Sequence, residues 1–240
     1  MIRRSLPLVL AAVIAAPFGA PLGAPLGAQV GHTPESSPYE DLRGKQALTF
    51  FTGAIAPGGD PAGVGPRSGL QLSARYELLL TGPLWLHVRA TYAPRLDRTV
   101  KDPVLIGAAR DIGTSQRPLA AIESGFGLNL TGNKSWHRVT PQLHGALGFV
   151  TGGTKAFDAG GYRFGNKFTV SYGLGLRVVT GREWEFQADV THLFWKYNYP
   201  NDYRVSSSSV VNTSILQGGP LAPWQGNAVL SIGMSRFFFR

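Results

Sequence analysis

Between Gln46 and Phe239 the chain alternates apolar and polar residues with a period of two, in eight separate stretches. The alternation predicts strands over Gln46–Ala56, Gly69–Leu80, Leu84–Arg95, Pro118–Leu130, Trp136–Thr151, Lys167–Thr180, Trp184–Tyr197 and Asn227–Phe239. The sixth is the clearest. Phe168, Val170, Tyr172, Leu174, Leu176 and Val178 fall on one face, and Thr169, Ser171, Gly173, Gly175 and Arg177 on the other. A period of two, not 3.6, excludes amphipathic helices for these stretches.

The links between strands are of two kinds. After the second, fourth and sixth strands come tight turns of one type: Thr81-Gly82 before Trp85, Thr131-Gly132 before Trp136, and Thr180-Gly181 before Trp184. After the first, third, fifth and seventh come long Gly-, Pro- and charge-rich loops, Pro57–Ser68, Leu96–Arg117, Gly152–Asn166 and Asn198–Gly226. Most strands are long enough to cross a hydrocarbon layer when tilted. Regular long strands joined alternately by short turns and long loops predict an all-β fold, a closed antiparallel up-and-down transmembrane β-barrel of eight strands. An even count puts both ends on the side of the short turns. The loops after the third and seventh strands leave room for a further hairpin, so ten strands stay open.

The N-terminus assigns a compartment. Arg3 and Arg4 precede an apolar run, Leu6–Ala16, and small residues end in Leu26-Gly27-Ala28. This predicts a secretory signal peptide over 1–28, with Pro17, Pro21 and Pro25 arguing against an anchor helix. Residues 29–45, polar and without periodicity, are expected to be a periplasmic tail, and 46–240 the barrel. Removing 1–28 takes away two arginines and no acid, lowering the formal net charge from +9 to +7. The basic residues are scattered, so no nucleic-acid partner is expected, and for an exported chain lipid headgroups are the natural counter-charge. No cysteine is present, His32, His87, His137, His144 and His192 lack metal-ligand spacing, and no phosphate loop or nucleophile elbow occurs. No catalytic residue, metal or cofactor is therefore expected.

Barrel polarity then sorts the residues. A charge facing lipid near the midplane costs about 2–4 kcal/mol, so the charged face must point inward. Strand parity puts Arg75, Arg89, Arg138 and Arg177 in the lumen against Glu77, Glu123, Glu185 and Asp189. Glycines on the same face leave these side chains room, and eight strands leave a lumen that side chains fill. Trp85 and Trp136 have inward parity and need a bulge or a role as lumen floor. Trp184, with Tyr92, Phe149, Phe168 and Phe194, is expected in the interface girdles. The loops hold Arg67, Arg95, Arg98, Lys101, Arg110, Arg117, Lys155, Arg163, Lys167, Lys196 and Arg204, whose guanidinium and ammonium groups suit lipopolysaccharide phosphates.

Strand count, loop asymmetry and the last strand together make the chain resemble the eight-stranded outer-membrane barrels of the OmpA/OmpX type across Gln46–Arg240. Ala228–Arg240 looks like that family's C-terminal assembly signal, with Phe237, Phe238 and Phe239 as its aromatics. It departs from the pattern in ending on Arg240 and in placing Arg236 on the lipid parity. The resemblance implies a bacterial outer-membrane location, insertion by the barrel-assembly machinery, a monomer, and a structural or surface-interaction role. Two alternatives stand beside it. One is a lipid A acyl hydrolase or acyltransferase, for which His192 lacks a serine two residues on. The other is a narrow passive pore.

Overall fold

The computed structural model describes residues 37–42, 44–153, 155, 159–181, 183–205 and 213–238. The signal-peptide reading and Phe239 lie outside them. Among the described residues the strands are β1 (Tyr39–Asp41), β2 (Gln46–Pro57), β3 (Gly69–Thr81), β4 (Leu84–Lys101), β5 (Asp111–Asn129), β6 (Lys134–Trp136), β7 (Val139–Thr151), β8 (Asn166–Val179), β9 (Trp184–Lys196) and β10 (Trp224–Phe238).

Eight of these close a wall. The hydrogen-bonded order β2-β3-β4-β5-β7-β8-β9-β10 returns to β2, every neighbour antiparallel, the seam pairing Phe238 with Gln46 at one end and Asn227 with Pro57 at the other. Closure removes the sheet edges, which is what allows a sheet to sit in a bilayer. No helix among the described residues is long and apolar enough to cross a membrane, a statement that does not bear on strands.

The polarity is reversed relative to a soluble barrel. Outward residues are apolar and exposed (Leu174 59 %, Ile232 65 %), while Arg177 and Thr169 on the inner face are fully buried. Between the girdles described below, no outward strand residue is Asp, Glu, Lys or Arg. A charge placed there has no escape. Ile232→Arg is expected to lower the stability of the refolded barrel by about 2–4 kcal/mol, read from urea unfolding in lipid vesicles. A cost near zero would mean that this face meets water.

Two predicted elements differ. The third strand does not stop at Arg95: β4 and β5 run on together, with Leu96 paired to Arg117 and Val100 to Gly113, so the predicted loop Leu96–Arg117 is mostly a hairpin. Pro94 has no N–H to give to the ladder, and the register shifts between Ala93 and Leu96, which looks like a strand end in the sequence. No further strand enters the wall. The fifth predicted strand is broken as well. His137 (φ 48°) and Arg138 (φ 67°) sit in the left-handed region, leaving Lys134–Trp136 as the separate strand β6. β6 pairs with Tyr39–Asp41, so part of the expected structureless tail is a strand.

Candidate functional site

The inner faces of β3, β8 and β9 build the first part of the interior. Period-two geometry stacks Glu77 and Arg75 on β3 and brings them level with Arg177 on β8 and Glu185, Gln187 and Asp189 on β9. Arg75 donates to Asp189 and Gln187 and lies 3.5 Å from Glu77. Arg177 donates to Glu77 and lies 3.9 Å from Glu185. Across the lumen Arg89 donates Nε and Nη2 to Glu123 Oε2, at 3.2 and 2.8 Å, and Nη1 to Thr191 at 3.0 Å. His144 meets the same threonine at 3.1 Å and faces His87 edge-on at 6.1 Å. Glycine makes the space: a Cβ on Gly175 would stand 2.6 Å from Asp189 Oδ1.

This network bears on seven of the eight lumen residues read from parity. Arg138 is the exception. Strand parity does not carry past His137–Arg138, where the chain leaves extended geometry, and the Arg138 side chain is 63 % exposed beside Glu40 at 3.6 Å. The network therefore sets three arginines against four carboxylates. Trp136, beyond the same break, is exposed outside rather than inward.

The periplasmic mouth has a floor. Arg177 lies 5.1 Å above the Trp85 ring, and Trp85 lies 6.5 Å from Phe237. Under Phe237 passes a strap: β1 is fixed to β6, below β7, and the chain then crosses to β2 on the opposite side of the ring. Leu42 N and His137 N donate to Asn133 O and Pro38 O, both at 2.8 Å. Gly44 is needed here, because any Cβ would collide with the Phe237 ring.

The extracellular mouth is closed differently. The segments after β2, β7 and β9 fold inward over an apolar core that includes Leu96, Leu119, Phe164, Trp195, Tyr197 and Tyr203. Tyr197, Tyr199 and Tyr203 stack at 5.4 and 5.8 Å, and Tyr162 joins them at 5.7 Å from Tyr199. Asp60 ties two loops together. It accepts from Ala62 N at 3.0 Å, from Gly65 N and from the Tyr199 hydroxyl. Burial, reinforced by the Asp60 charge, pushes the Tyr197 and Tyr199 phenols above their ordinary range. Two of the eleven loop cations belong to this cap and do not face the membrane surface. Arg98 is fully buried with its guanidinium 4.8 Å over Phe164, and Lys167 Nζ stands 5.0 Å over the same ring. Both have inward parity, on β4 beyond the Pro94 shift and on β8. The cap was missed because loops carry no periodicity to count, yet Trp195 and Tyr197 continue the inward parity of Glu185–Leu193.

Outside, two girdles mark the membrane. On the extracellular side Phe149 pairs with Phe168, their rings 6.0 Å apart edge-on, and Lys196 pairs with the exposed Trp224. Phe194 stacks on Tyr172 at 5.6 Å, and Tyr92 is exposed on β4. On the periplasmic side Trp184 pairs with Arg236, whose guanidinium covers Trp184 and Phe238 at 5.5 and 5.7 Å and reaches Glu183 at 3.7 Å. Arg236 thus snorkels at the interface. From Trp184 to Lys196 the rise is roughly 30 Å, at about 3.3 Å per residue and a tilt near 40°. That equals a bilayer's hydrocarbon core of about 30 Å.

No protein-family model matches this chain, and no curated protein matches it. Among solved structures it is similar to Neisserial surface protein A (11 % identity, TM-score 0.47, covering 84 % of this chain and 98 % of that one). It is also similar to OprG from Pseudomonas aeruginosa (12 %, 0.49, 83 % and 99 %) and to E. coli outer membrane protein W (12 %, 0.47, 82 % and 99 %). The location follows from the physics of the wall itself. A closed antiparallel cylinder that turns its grease outward and its carboxylates and guanidiniums inward has only a bilayer to occupy, and the chain is an integral β-barrel of the bacterial outer membrane.

Proposed function

We propose that the protein is a non-conducting, non-enzymatic surface barrel, which engages lipopolysaccharide phosphates at its extracellular rim and presents its longest hairpin to partners outside the cell. The observation that carries this reading is the β4–β5 hairpin. Its six residues Leu96–Lys101 add roughly 20 Å of strand past the Pro94 shift, and its tip exposes Val104 (73 %), Ile106 and Ile112 to the outside. An apolar tip on a long ordered arm is unusual where water surrounds it, and such exposure marks an interaction site. The filled interior supports the same reading against a pore: charge pairs occupy the middle, and rings cover both mouths.

The rim supplies the phosphate contacts. Lys196 lies exposed beside Trp224 at the level of the extracellular girdle, and Arg95, next to Pro94 within β4, and Arg163, just ahead of β8, are exposed as well. In detergent, bisphosphorylated lipid A is expected to raise the unfolding temperature of the barrel by several degrees, and dephosphorylated lipid A to leave it unchanged. The triple change Lys196→Gln, Arg95→Gln and Arg163→Gln is expected to abolish the difference. Equal stabilisation by both lipids would remove the phosphate reading, and discrete conductance steps in planar bilayers would restore the pore.

A further inference from the structure

The floor carries a pocket on its periplasmic side. Between the strap, β6 and the β8–β9 turn lies a pocket of about 460 Å³, bounded by Glu40, Asp41, Arg138 and Gly181, with Phe237 and Glu185 on its inner wall. Glu185 is 1 % exposed. Neither of its carboxylate oxygens accepts a hydrogen bond from a described residue, and Arg177 Nη1 stands 3.9 Å away. The other three interior acids are served more closely: Glu77 by Arg177, Asp189 by Arg75, and Glu123 by two nitrogens of Arg89. Of the four network carboxylates, the one least compensated is thus the one that lines the pocket. A buried carboxylate is stable only when a cation or donors compensate it.

We propose that this pocket binds an alkylammonium group, its nitrogen against Glu185 and its carbon stem along the Phe237 ring. A metal ion is a poorer fit. No group of three or more His, Cys, Asp or Glu able to hold one occurs among the described residues, and calcium asks for about six to eight oxygens. An ammonium has three donors and needs only one carboxylate with a few carbonyls. The inference is independent of what the extracellular face does.

The test is amide NMR of the refolded protein in detergent micelles, titrated with N-acetyl-lysine amide, with 1,4-diaminobutane and with the neutral N-acetyl-norleucine amide. Both amines are expected to give saturable shifts at Thr180, Gly181 and Ser135, and norleucine none. Glu185→Gln is expected to weaken amine binding at least tenfold. Gly181→Trp leaves Glu185 untouched and sets its side chain where a Cβ meets nothing within 4 Å. It is expected to weaken binding several-fold by narrowing the mouth. Tighter binding of the lysine amide would assign the site to a peptide side chain, and tighter binding of the diamine to a free polyamine. Absent saturation, equal shifts with norleucine, or binding unchanged in both variants would overturn the proposal.

Discussion

Arg75→Ala is expected to destabilise the refolded barrel by about 3–5 kcal/mol, the typical cost of breaking a buried ion pair from one side. Arg75 is 1 % exposed, and Asp189 and Gln187 both accept from it while Glu77 stands close by. Truncation would leave Asp189 without its cation in a place water reaches poorly. Glu77 keeps Arg177, so most of the loss belongs to Asp189. The double variant Arg75→Ala with Asp189→Asn removes both charges and is expected to recover a large part of the loss, a coupling that a double-mutant cycle measures. Urea unfolding in vesicles gives both numbers. If the single change cost no more than an exposed surface pair, the interior would be wet enough to screen it.

Trp195→Ala is expected to be as costly overall, about 3–5 kcal/mol, with a different distribution. Trp195 is fully buried and meets Phe164 edge-on at 5.8 Å, at the junction between wall and cap. Its loss opens a cavity beneath the loops of the cap, at the centre of the apolar cluster that holds them. The wall hydrogen bonds do not depend on it. Trypsin cleavage after the exposed Arg204 is therefore expected to accelerate strongly, while the folded band on an unboiled gel persists. Loss of that band at the same rate as cleavage would mean that cap and wall unfold as one unit.

The wall was legible in the sequence and the two mouths were not. Alternation names an inward face directly, which is why Arg75, Glu77, Arg89, Glu123, Arg177, Glu185 and Asp189 emerge from counting alone. Counting fails where the backbone leaves extended geometry. Arg138 is itself the second of two left-handed residues, and Arg98 lies past a proline beside which the register shifts. It also fails where side chains from distant segments meet without a period. Asp60, Tyr162 and Tyr199 come from three loops, and nothing local announces that they touch. The aromatic density of those loops was the available sign, since a solvated loop has no use for so many rings.

The strap has a consequence for the order in which the molecule is made. β2 and β7 stand on opposite sides of the ring, so a segment that leaves β2 and is fastened below β7 cannot reach its place on an open sheet. Tyr39–Asp41 can dock only once curvature has brought β2 and β7 to face each other across the mouth. The earliest-synthesised strand of the described chain thus comes to rest after the strands it bridges, a latch set only on a curved wall.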